Sequence, residues 1–296
     1  MSEQVEPALR SHALPSLTLK LSRCLVGFAV ALLAACATEP EGPPRSEMVW
    51  AVTDAAELVR FNAGQPGRLQ SRMPLQGLPA GERLVGIDFR VSRGVLYAVS
   101  SGGRLFTIDT ASATLKPVGS GPAVVLQGER FGVDFNPVAD RVRVVSDSGQ
   151  NLRLHPDTGQ LAATDPPLTW AMPGVAAPKV AGAAYTYNKS NDKLTTNYAI
   201  ELVTGTLVTQ GSVEGAQPVV SPNTGQLMPV GGIGSMGTGA LEDASFDIAD
   251  INNAALAALR IAGRTRLFSI DLATGRATPL GTVGSGRALW GMAIEP

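Results

Sequence analysis

The sequence contains few residues that bind transition metals or form covalent intermediates, with two cysteines and two histidines among 296 residues. Cys24 and His12 lie in an N-terminal segment that we predict to be removed, and we predict that Cys36 carries a lipid. The mature chain then has no thiol left for a disulfide and one imidazole, that of His155. This excludes zinc and copper sites built from cysteine or histidine. No G-x-S-x-G motif occurs either, so the sequence offers no serine-hydrolase triad.

The net charge is small, and long apolar runs are also scarce. The formal net charge is −1, which leaves no electrostatic footprint for nucleic acid or for an anionic membrane surface. The apolar run CLVGFAVALLAA (24–35) has twelve residues, and a bilayer-spanning helix needs about 20. We therefore predict no nucleic-acid partner and no membrane contact other than through a lipid anchor.

This apolar run is typical of a targeting segment. A positively charged region precedes it, with Arg10, Lys20 and Arg23, and the run leads into LAAC (33–36). Such a charged region followed by a short apolar run indicates a signal peptide. Its end resembles the lipobox of bacterial lipoproteins, in which the cysteine receives diacylglycerol and becomes the new N-terminus. An ordinary secretory signal with a chance cysteine is the alternative.

The lipobox implies a signal peptide over 1–35 and a lipidated Cys36. Residues 36–47 are polar and rich in proline, which predicts a flexible tether, and the domain then covers 48–296. Ala37 follows the cysteine, in place of the aspartate that retains lipoproteins at the inner membrane of enteric bacteria. We therefore expect the protein in the cell envelope, anchored to the outer membrane of a Gram-negative bacterium.

Glycine and proline are abundant, with 33 and 21 residues, and they separate short sequence segments, here called lines, that recur along the chain. SIDLATGRATPLG (269–281) nearly repeats TIDTASATLKPVG (107–119). Copies of a longer unit lie at 84–119, 130–165, 180–231 and 244–281. Each copy shows four short strands rich in β-branched and aromatic residues and bounded by turn formers. A short link, often Thr-Gly, joins the last two strands, because glycine accepts the positive φ of a short hairpin loop.

These units predict an all-β fold, a β-propeller of four-stranded blades, because one such sheet cannot bury both its faces alone. ALWGMAIEP (288–296) supplies a first strand with nothing after it, and residues 48–75 supply three strands without a first. Together they complete a fifth blade and close the ring. A sixth blade is the alternative if residues 205–240 contain one. NNAALAALRIAG (252–263) has helical propensity, but its place in the repeat predicts a strand.

The repeated lines resemble one known family. The lines GIDF (86–89), GVDF (132–135), SFDI (245–248) and GMAIEP (291–296) are similar to a bacterial domain-of-unknown-function family, numbered 4394. The resemblance covers roughly the whole predicted domain, and it implies propeller-like repeats and no stated activity. The third unit departs from the family, since TNYAIE (196–201) stands where the family has a line closer to TLYDID.

One column of the aligned first strands is acidic. Asp88, Asp134 and Asp247 occupy it, while the other two blades have Ala184 and Ala293. Because the first strand of a blade lines the central channel, we expect the three carboxylates to converge there. One interpretation is a hard-cation site for Ca²⁺ or Mg²⁺. The other, which we favour, is that each aspartate accepts hydrogen bonds from neighbouring backbone, since a residue repeated in equivalent blades usually serves the blade.

Two further positions are candidates for a site. PPLTWAMPG (166–174) places Trp170 between prolines in a long link outside the repeat, which makes it a candidate for a binding rim, with core packing as an equal alternative. Glu242 and Asp243 form an acidic pair, and acid–base chemistry would require the two carboxyl groups to have different environments.

Two functions from different classes fit these observations. The one we favour is a non-catalytic, lipid-anchored envelope propeller that acts as a binding or interaction scaffold for an envelope protein or glycan, as a monomer and without a cofactor. The alternative is a propeller hydrolase, lactonase-like, that uses a divalent cation such as Ca²⁺ on the channel carboxylates Asp88, Asp134 and Asp247. Propellers host both classes.

Overall fold

The computed structural model describes residues 41–172, 174–234 and 239–296. The predicted signal peptide, Cys36 and the first residues of the predicted tether lie outside this part of the chain. Among the residues described, no helix has the length and hydropathy needed to cross a bilayer. Two single-turn 3-10 helices, Val91–Arg93 and Pro222–Thr224, interrupt a structure made of strands.

Five sheets form the five blades of a β-propeller, with strands ordered from the axis outward. Blade 1 contains β21 (Leu289–Ile294), β1 (Met48–Thr53), β2 (Glu57–Asn62) and β3 (Gln65–Pro74). Blade 2 contains β4 (Leu84–Arg90), β5 (Val95–Ser100), β6 (Leu105–Asp109) and β7 (Thr114–Val118). Blade 3 contains β8 (Phe131–Asn136), β9 (Arg141–Ser146), β10 (Asn151–Leu154) and β11 (Leu161–Thr164).

Blade 4 contains β13 (Val180–Tyr185), β14 (Asn197–Glu201), β15 (Thr206–Gln210), β16 (Gln226–Gly232) and an additional strand, β12 (Thr169–Trp170). Blade 5 contains β17 (Leu241–Ile248), β18 (Ala255–Ile261), β19 (Arg264–Ile270) and β20 (Ala277–Thr282). β12 pairs in parallel with β16, whereas the other pairings are antiparallel. The strands of the described part of the 205–240 stretch, β15 and β16, thus belong to blade 4, and the prediction of five blades is confirmed.

The two ends of the domain meet in blade 1. β21 pairs antiparallel with β1, with Trp50 opposite Ala293 and Ala51 opposite Met292. The chain therefore closes the ring as predicted, by combining its last strand with its first three. The backbone N–H of Glu295 also donates to the carbonyl of Met48 at 2.8 Å.

β18 shows why the repeat outweighs helical propensity. Its side chains alternate between two apolar clusters, with Ala257 and Leu259 in the cluster shared with blade 4 and Leu256 and Ala258 in the cluster shared with blade 1. A strand buried on both faces needs apolar residues at every position. The predicted strand is confirmed because both neighbouring blades supply that burial.

The interface between blades 3 and 4 combines a small apolar cluster with a buried cation. The guanidinium of Arg143, 1% exposed, donates through Nε to the hydroxyl of Tyr185 at 2.6 Å and through Nη2 to Oδ1 of Asn223 at 2.6 Å. Its Nη1 lies 3.2 Å from Oδ2 of Asp165. A buried charge is tolerated when it is paired and hydrogen-bonded in this way.

The described end of the predicted tether contacts blade 1. The backbone N–H of Arg45 donates to Oδ1 of Asn62 at 2.8 Å, and Nδ2 of Asn62 donates to the carbonyl of Arg45 at 2.8 Å. Glu47 is 6% exposed and pairs with Arg45. The chain therefore joins the propeller a few residues before β1 begins.

Candidate functional site

The innermost strands surround a narrow axis because they approach one another at glycine. A Cβ on Gly132 would lie 2.6 Å from the backbone N of Ala183 in blade 4, and one on Gly291 would lie 2.8 Å from the backbone N of Ile87 in blade 2. A Cβ on Gly86 would lie 2.3 Å from a methyl group of Val133. Any larger residue at these positions would separate neighbouring blades, so these glycines allow the close packing at the axis.

Two residues after the positions of these glycines, the innermost strands bring the three predicted aspartates together. Asp88, Asp134 and Asp247 lie on β4, β8 and β17 and are 5%, 3% and 6% exposed. One carboxylate oxygen from each lies within 4.8 Å of the other two. Oxygens on opposite sides of one Ca²⁺ lie about 5 Å apart, given Ca²⁺–oxygen distances of about 2.3–2.6 Å. The spacing therefore fits a shared cation as well as a set of hydrogen-bond acceptors.

Five backbone N–H groups point at these carboxyl groups. They belong to the residue that directly follows the aspartate column in each blade: Phe89, Phe135, Tyr185, Ile248 and Ile294. Each aspartate accepts a bond from the next blade: Asp88 from Phe135 at 2.7 Å, Asp134 from Tyr185, and Asp247 from Ile294 at 2.5 Å. The aspartates thus connect blade 2 to 3, blade 3 to 4 and blade 5 to 1.

The two alanines of the column explain the remaining two bonds. Ala184 and Ala293 have no oxygen to offer to the following blade. At those places Asp247 accepts from its own neighbour Ile248 at 2.6 Å, and Asp88 accepts from its own neighbour Phe89 at 2.7 Å. Three aspartates therefore satisfy the N–H groups of five blades.

Burial raises the pKa of each axial carboxyl. The pKa of Asp88 rises to about 6 through desolvation, partly offset by its hydrogen bonds to Asp134 and to backbone. The pKa of Asp134 lies well above its usual range, first through desolvation and then through the charge of Asp88 and the side-chain hydrogen bond to Asp88. Desolvation and the charge of Asp88 also raise the pKa of Asp247. Tyr187 lies close enough that the same carboxylates, after burial, raise its pKa far above the usual value.

At the end of the axis where the innermost strands begin, side chains from several blades form a mouth. A small cavity of about 20 Å³ is lined there by Arg83, Arg130, Phe131, Asp243, Ser245 and Trp290, among others. Arg130 of blade 3 contacts blade 5, where its Nε donates to the carbonyl of Glu242 at 3.1 Å and lies 3.5 Å from Oδ2 of Asp243. Burial raises the pKa of Asp243 to about 6, which the charge of Arg130 only partly offsets.

A crevice too narrow to admit a water molecule continues from this mouth past Asp243, Ser245 and Leu289. Two polar atoms of its lining residues, Oγ1 of Thr265 and Nη1 of Arg260, are buried and have no hydrogen-bond partner among the described residues. Thr265 is 1% exposed. Buried polar groups are normally satisfied, and each exception requires an explanation.

The other predicted positions lie away from the axis. Trp170 is half-buried in β12, at the outer edge of blade 4, where it packs against the apolar cluster shared with blade 3. Cys36 lies outside the described residues.

The sequence did not reveal the mouth, because Arg130 and Glu242 are 112 positions apart. The arginines that shortly precede the first strands, Arg83 and Arg130, are the signal that could have indicated it.

Fold and site together define a five-bladed propeller whose axis is closed by glycines and buried carboxyl groups. The chain belongs to the family described as "Domain of unknown function (DUF4394)", whose model matches residues 57–293. This confirms the resemblance seen in the sequence. No curated protein matches the chain.

Two solved structures are similar to this chain over most of its length. A chain of a nidogen/laminin complex is 11% identical with a TM-score of 0.43, over 84% of this chain and 98% of that one. The dihydro-heme d1 dehydrogenase NirN in complex with DHE is 14% identical with a TM-score of 0.36, over 81% of this chain and 55% of that one. This chain therefore spans about half the length of the dehydrogenase, and neither likeness bears on function.

Proposed function

We propose that the protein is a non-catalytic binding scaffold, held to the envelope by a lipid on Cys36, that presents the mouth of the propeller to an envelope protein or glycan. One observation carries this proposal. The axial carboxyl groups are buried and engaged by backbone, whereas the mouth displays charged and aromatic side chains from several blades.

The accessibility of the two regions supports a scaffold over a catalyst. A catalytic acid or base must come within hydrogen-bond reach of its substrate, and Asp88, Asp134 and Asp247 are each less than a tenth exposed. At the mouth, the side chains of Glu129, Arg130 and Asp243 are 83%, 36% and 27% exposed. A partner can contact these groups without any rearrangement of the blades.

Photocrosslinking in intact cells tests the proposal. A benzophenone amino acid in place of Glu129 places the probe at the mouth, and the same residue in place of Ile251, which is 69% exposed after the far end of β17, is the matched control. We expect one discrete crosslinked species, protein or glycan, from position 129 and none from 251. Equal crosslinking from both positions, or none from either, would contradict a mouth-directed scaffold.

The lipid anchor has its own test. Replacing Cys36 with Ser removes the acylation site, so we expect the variant to leave the detergent phase in phase partitioning while the wild type stays there. Cys24→Ser, which changes the other cysteine, should partition like the wild type. Membrane association of the Cys36→Ser variant equal to that of the wild type would refute the anchor.

The hydrolase alternative is favoured by the three axial carboxylate oxygens that lie within 4.8 Å of one another. If the protein is a hydrolase, its melting temperature should rise with millimolar Ca²⁺ and it should hydrolyse lactones or esters. Asp134→Asn should then abolish both effects. The scaffold expects neither effect. Thermal melts with chelator and with Ca²⁺, together with hydrolysis assays, distinguish the two, and a calcium-dependent rise seen only in the wild type would place the hydrolase ahead.

A further inference from the structure

The segment before β1 is bound to the propeller over residues 41–47, which we call the strap. At the inner end of the strap, Oε1 of Glu47 accepts a hydrogen bond from Nδ2 of Asn252, in the link between β17 and β18, at 3.3 Å. Near its outer end, the carbonyl of Gly42 accepts a bond from Nε2 of Gln65 in blade 1 at 3.2 Å. With the bonds at its middle described above, these contacts make the strap part of the folded domain.

Two glycines of blade 1 let the strap lie directly against the backbone. A Cβ on Gly64, in the turn between β2 and β3, would lie 2.0 Å from the carbonyl oxygen of Pro43. A Cβ on Gly67 would lie 2.3 Å from Oε1 of Glu41. Backbone can approach this closely only where no Cβ intervenes. The outer part of the strap is therefore held in place by the shape of blade 1 as well as by hydrogen bonds.

The strap lies at the end of the propeller opposite the mouth, which we call the far end. The innermost strands begin at the mouth, so the link between β17 and β18 that contains Asn252 lies at the far end. In blade 1, β21, β1 and β2 are successively antiparallel, which places the turn between β2 and β3 at the far end as well. Ile251, next to Asn252, is 69% exposed there.

The chain between Cys36 and the strap is short. Residues 37–40 separate Cys36 from Glu41, the first described residue, and when fully extended this connection reaches about 18 Å, at ~3.3–3.6 Å per residue. β17, which runs from the mouth to the far end, has 8 residues and is therefore about 26 Å long, at ~3.3 Å per residue. A lipid on Cys36 thus keeps the far end near the bilayer, and the connection is too short to bring the mouth to the same surface.

We propose that the strap orients the propeller on the membrane, with the far end toward the lipid head groups and the mouth directed away from them. This inference rests on the proposed lipid on Cys36, and it adds to the proposed function the side from which a partner approaches. A partner of the mouth then comes from the aqueous compartment and not from the bilayer to which the protein is anchored.

The orientation comes from the strap and not from an affinity of the far end for lipid. The far-end links carry charges of both signs, with Lys189 and Lys193 beside Asp192 in one link and Asp250 in another. Attraction to anionic lipid requires a cluster of basic residues. Exposed apolar side chains do not distinguish the two ends either, because Val203, in a link at the mouth end, is 70% exposed. The strap is the feature that makes the two ends different.

Single cysteines test the orientation, because the mature chain has no free thiol once Cys36 is acylated. Ile251→Cys places a bimane label at the far end, and Glu129→Cys, at a side chain that is 83% exposed, places it at the mouth. The full-length lipidated protein is inserted into vesicles of phosphatidylethanolamine and phosphatidylglycerol that contain a lipid with a nitroxide on its head group. We expect the nitroxide to quench the label at 251 and not the label at 129. Equal quenching at both positions, or stronger quenching at 129, would overturn the orientation.

A longer connection separates the strap from the anchor. A Gly-Ser segment of about 20 residues, inserted between residues 40 and 41, has an r.m.s. span of about 25 Å and replaces none of the residues in the strap. We expect the inserted protein to float with the vesicles as before and to lose the quenching at 251. Quenching at 251 that keeps its full strength after the insertion would overturn the proposal, because the short connection would then not set the orientation.

Failure of this inference is distinguishable from failure of the proposed function. If Cys36→Ser still enters the detergent phase like the wild type, the anchor is refuted and the orientation with it. If the protein is bound to vesicles but is not quenched at 251, the orientation alone is refuted. A partner crosslinked at position 129 would in that case leave the scaffold intact.

Discussion

The aspartate column shows how one residue type serves several blades. Each aspartate has two carboxylate oxygens, so Asp88 and Asp247 each serve two backbone N–H groups, one in their own strand and one in the next blade. The sequence predicted the column and its place on the first strand. It could not predict that the bonds cross between blades, because that depends on the close approach that the glycines permit.

The raised pKa values of this cluster predict a pH-dependent stability. A group whose pKa is higher in the folded than in the unfolded state stabilises the fold fully below its unfolded pKa, and that contribution is lost as the pH rises through its folded pKa. For Asp88 the window runs from 3.8 to about 6, and the elevated pKa of Asp134 extends it upward. We expect a higher free energy of unfolding at pH 5 than at pH 8, measured by urea denaturation.

Asp134→Asn should reduce the pH dependence of the free energy of unfolding, because the asparagine amide can still donate a hydrogen bond to Asp88 but does not titrate. Asp243→Asn is the control for the mouth carboxyl, whose raised pKa acts in the same direction. A wild-type protein that is more stable at pH 8 than at pH 5 would contradict the assignment.

At the scale of the strand, the repeat predicted pairing better than propensity did. β18 is alanine-rich and still forms a strand, because both its faces pack against neighbouring blades. β12 was not predicted, since a strand of two residues that pairs with the outer edge of blade 4 leaves no periodicity in the sequence. Short edge strands are set by tertiary contact, which a local pattern does not contain.

The glycines of the innermost strands carry a stability prediction. A Cβ on Gly132 would lie 2.6 Å from the backbone N of Ala183, so β8 and β13 must separate to accommodate it. We expect Gly132→Ala to destabilise the fold by about 1–3 kcal/mol, the usual magnitude for overpacking. Gly121→Ala, where an added Cβ meets no atom within 4 Å, should leave the urea midpoint unchanged. Equal midpoints for the two variants would show that the axis is not closely packed.

At the scale of the whole molecule, strand pairing between β1 and β21 joins the two ends of the domain in blade 1 and closes the ring. The ends of the sequence predicted this, because each lacked the strands that the other supplies. The mouth was beyond prediction, since its groups converge from blades that are not adjacent in the ring and from positions more than a hundred residues apart. Repeats reveal the scaffold because every blade shares them, whereas a site depends on the residues in which the blades differ.

Ring closure predicts opposite outcomes for two rearrangements of the chain. Deleting 289–296 removes the innermost strand of blade 1, with Leu289, Met292 and Ile294 buried in the cluster between blades 5 and 1. At about 1.5–3 kcal/mol per large apolar side chain, the loss is comparable to the whole stability of a domain. We expect the deletion to abolish the cooperative thermal transition.

A circular permutant tests whether the pairing of β1 with β21, and not the position of the chain ends, keeps the ring closed. Because Glu295 already bonds to Met48, a short Gly-Ser linker can join the C-terminus to the segment before β1, with new termini opened at Gly121 between β7 and β8. Every strand pair is then preserved and blade 1 becomes continuous, so we expect a melting temperature equal to or above that of the unpermuted domain. A permutant that melts well below it, or a deletion that still unfolds cooperatively at the original temperature, would show that the contact between β1 and β21 does not hold the ring closed.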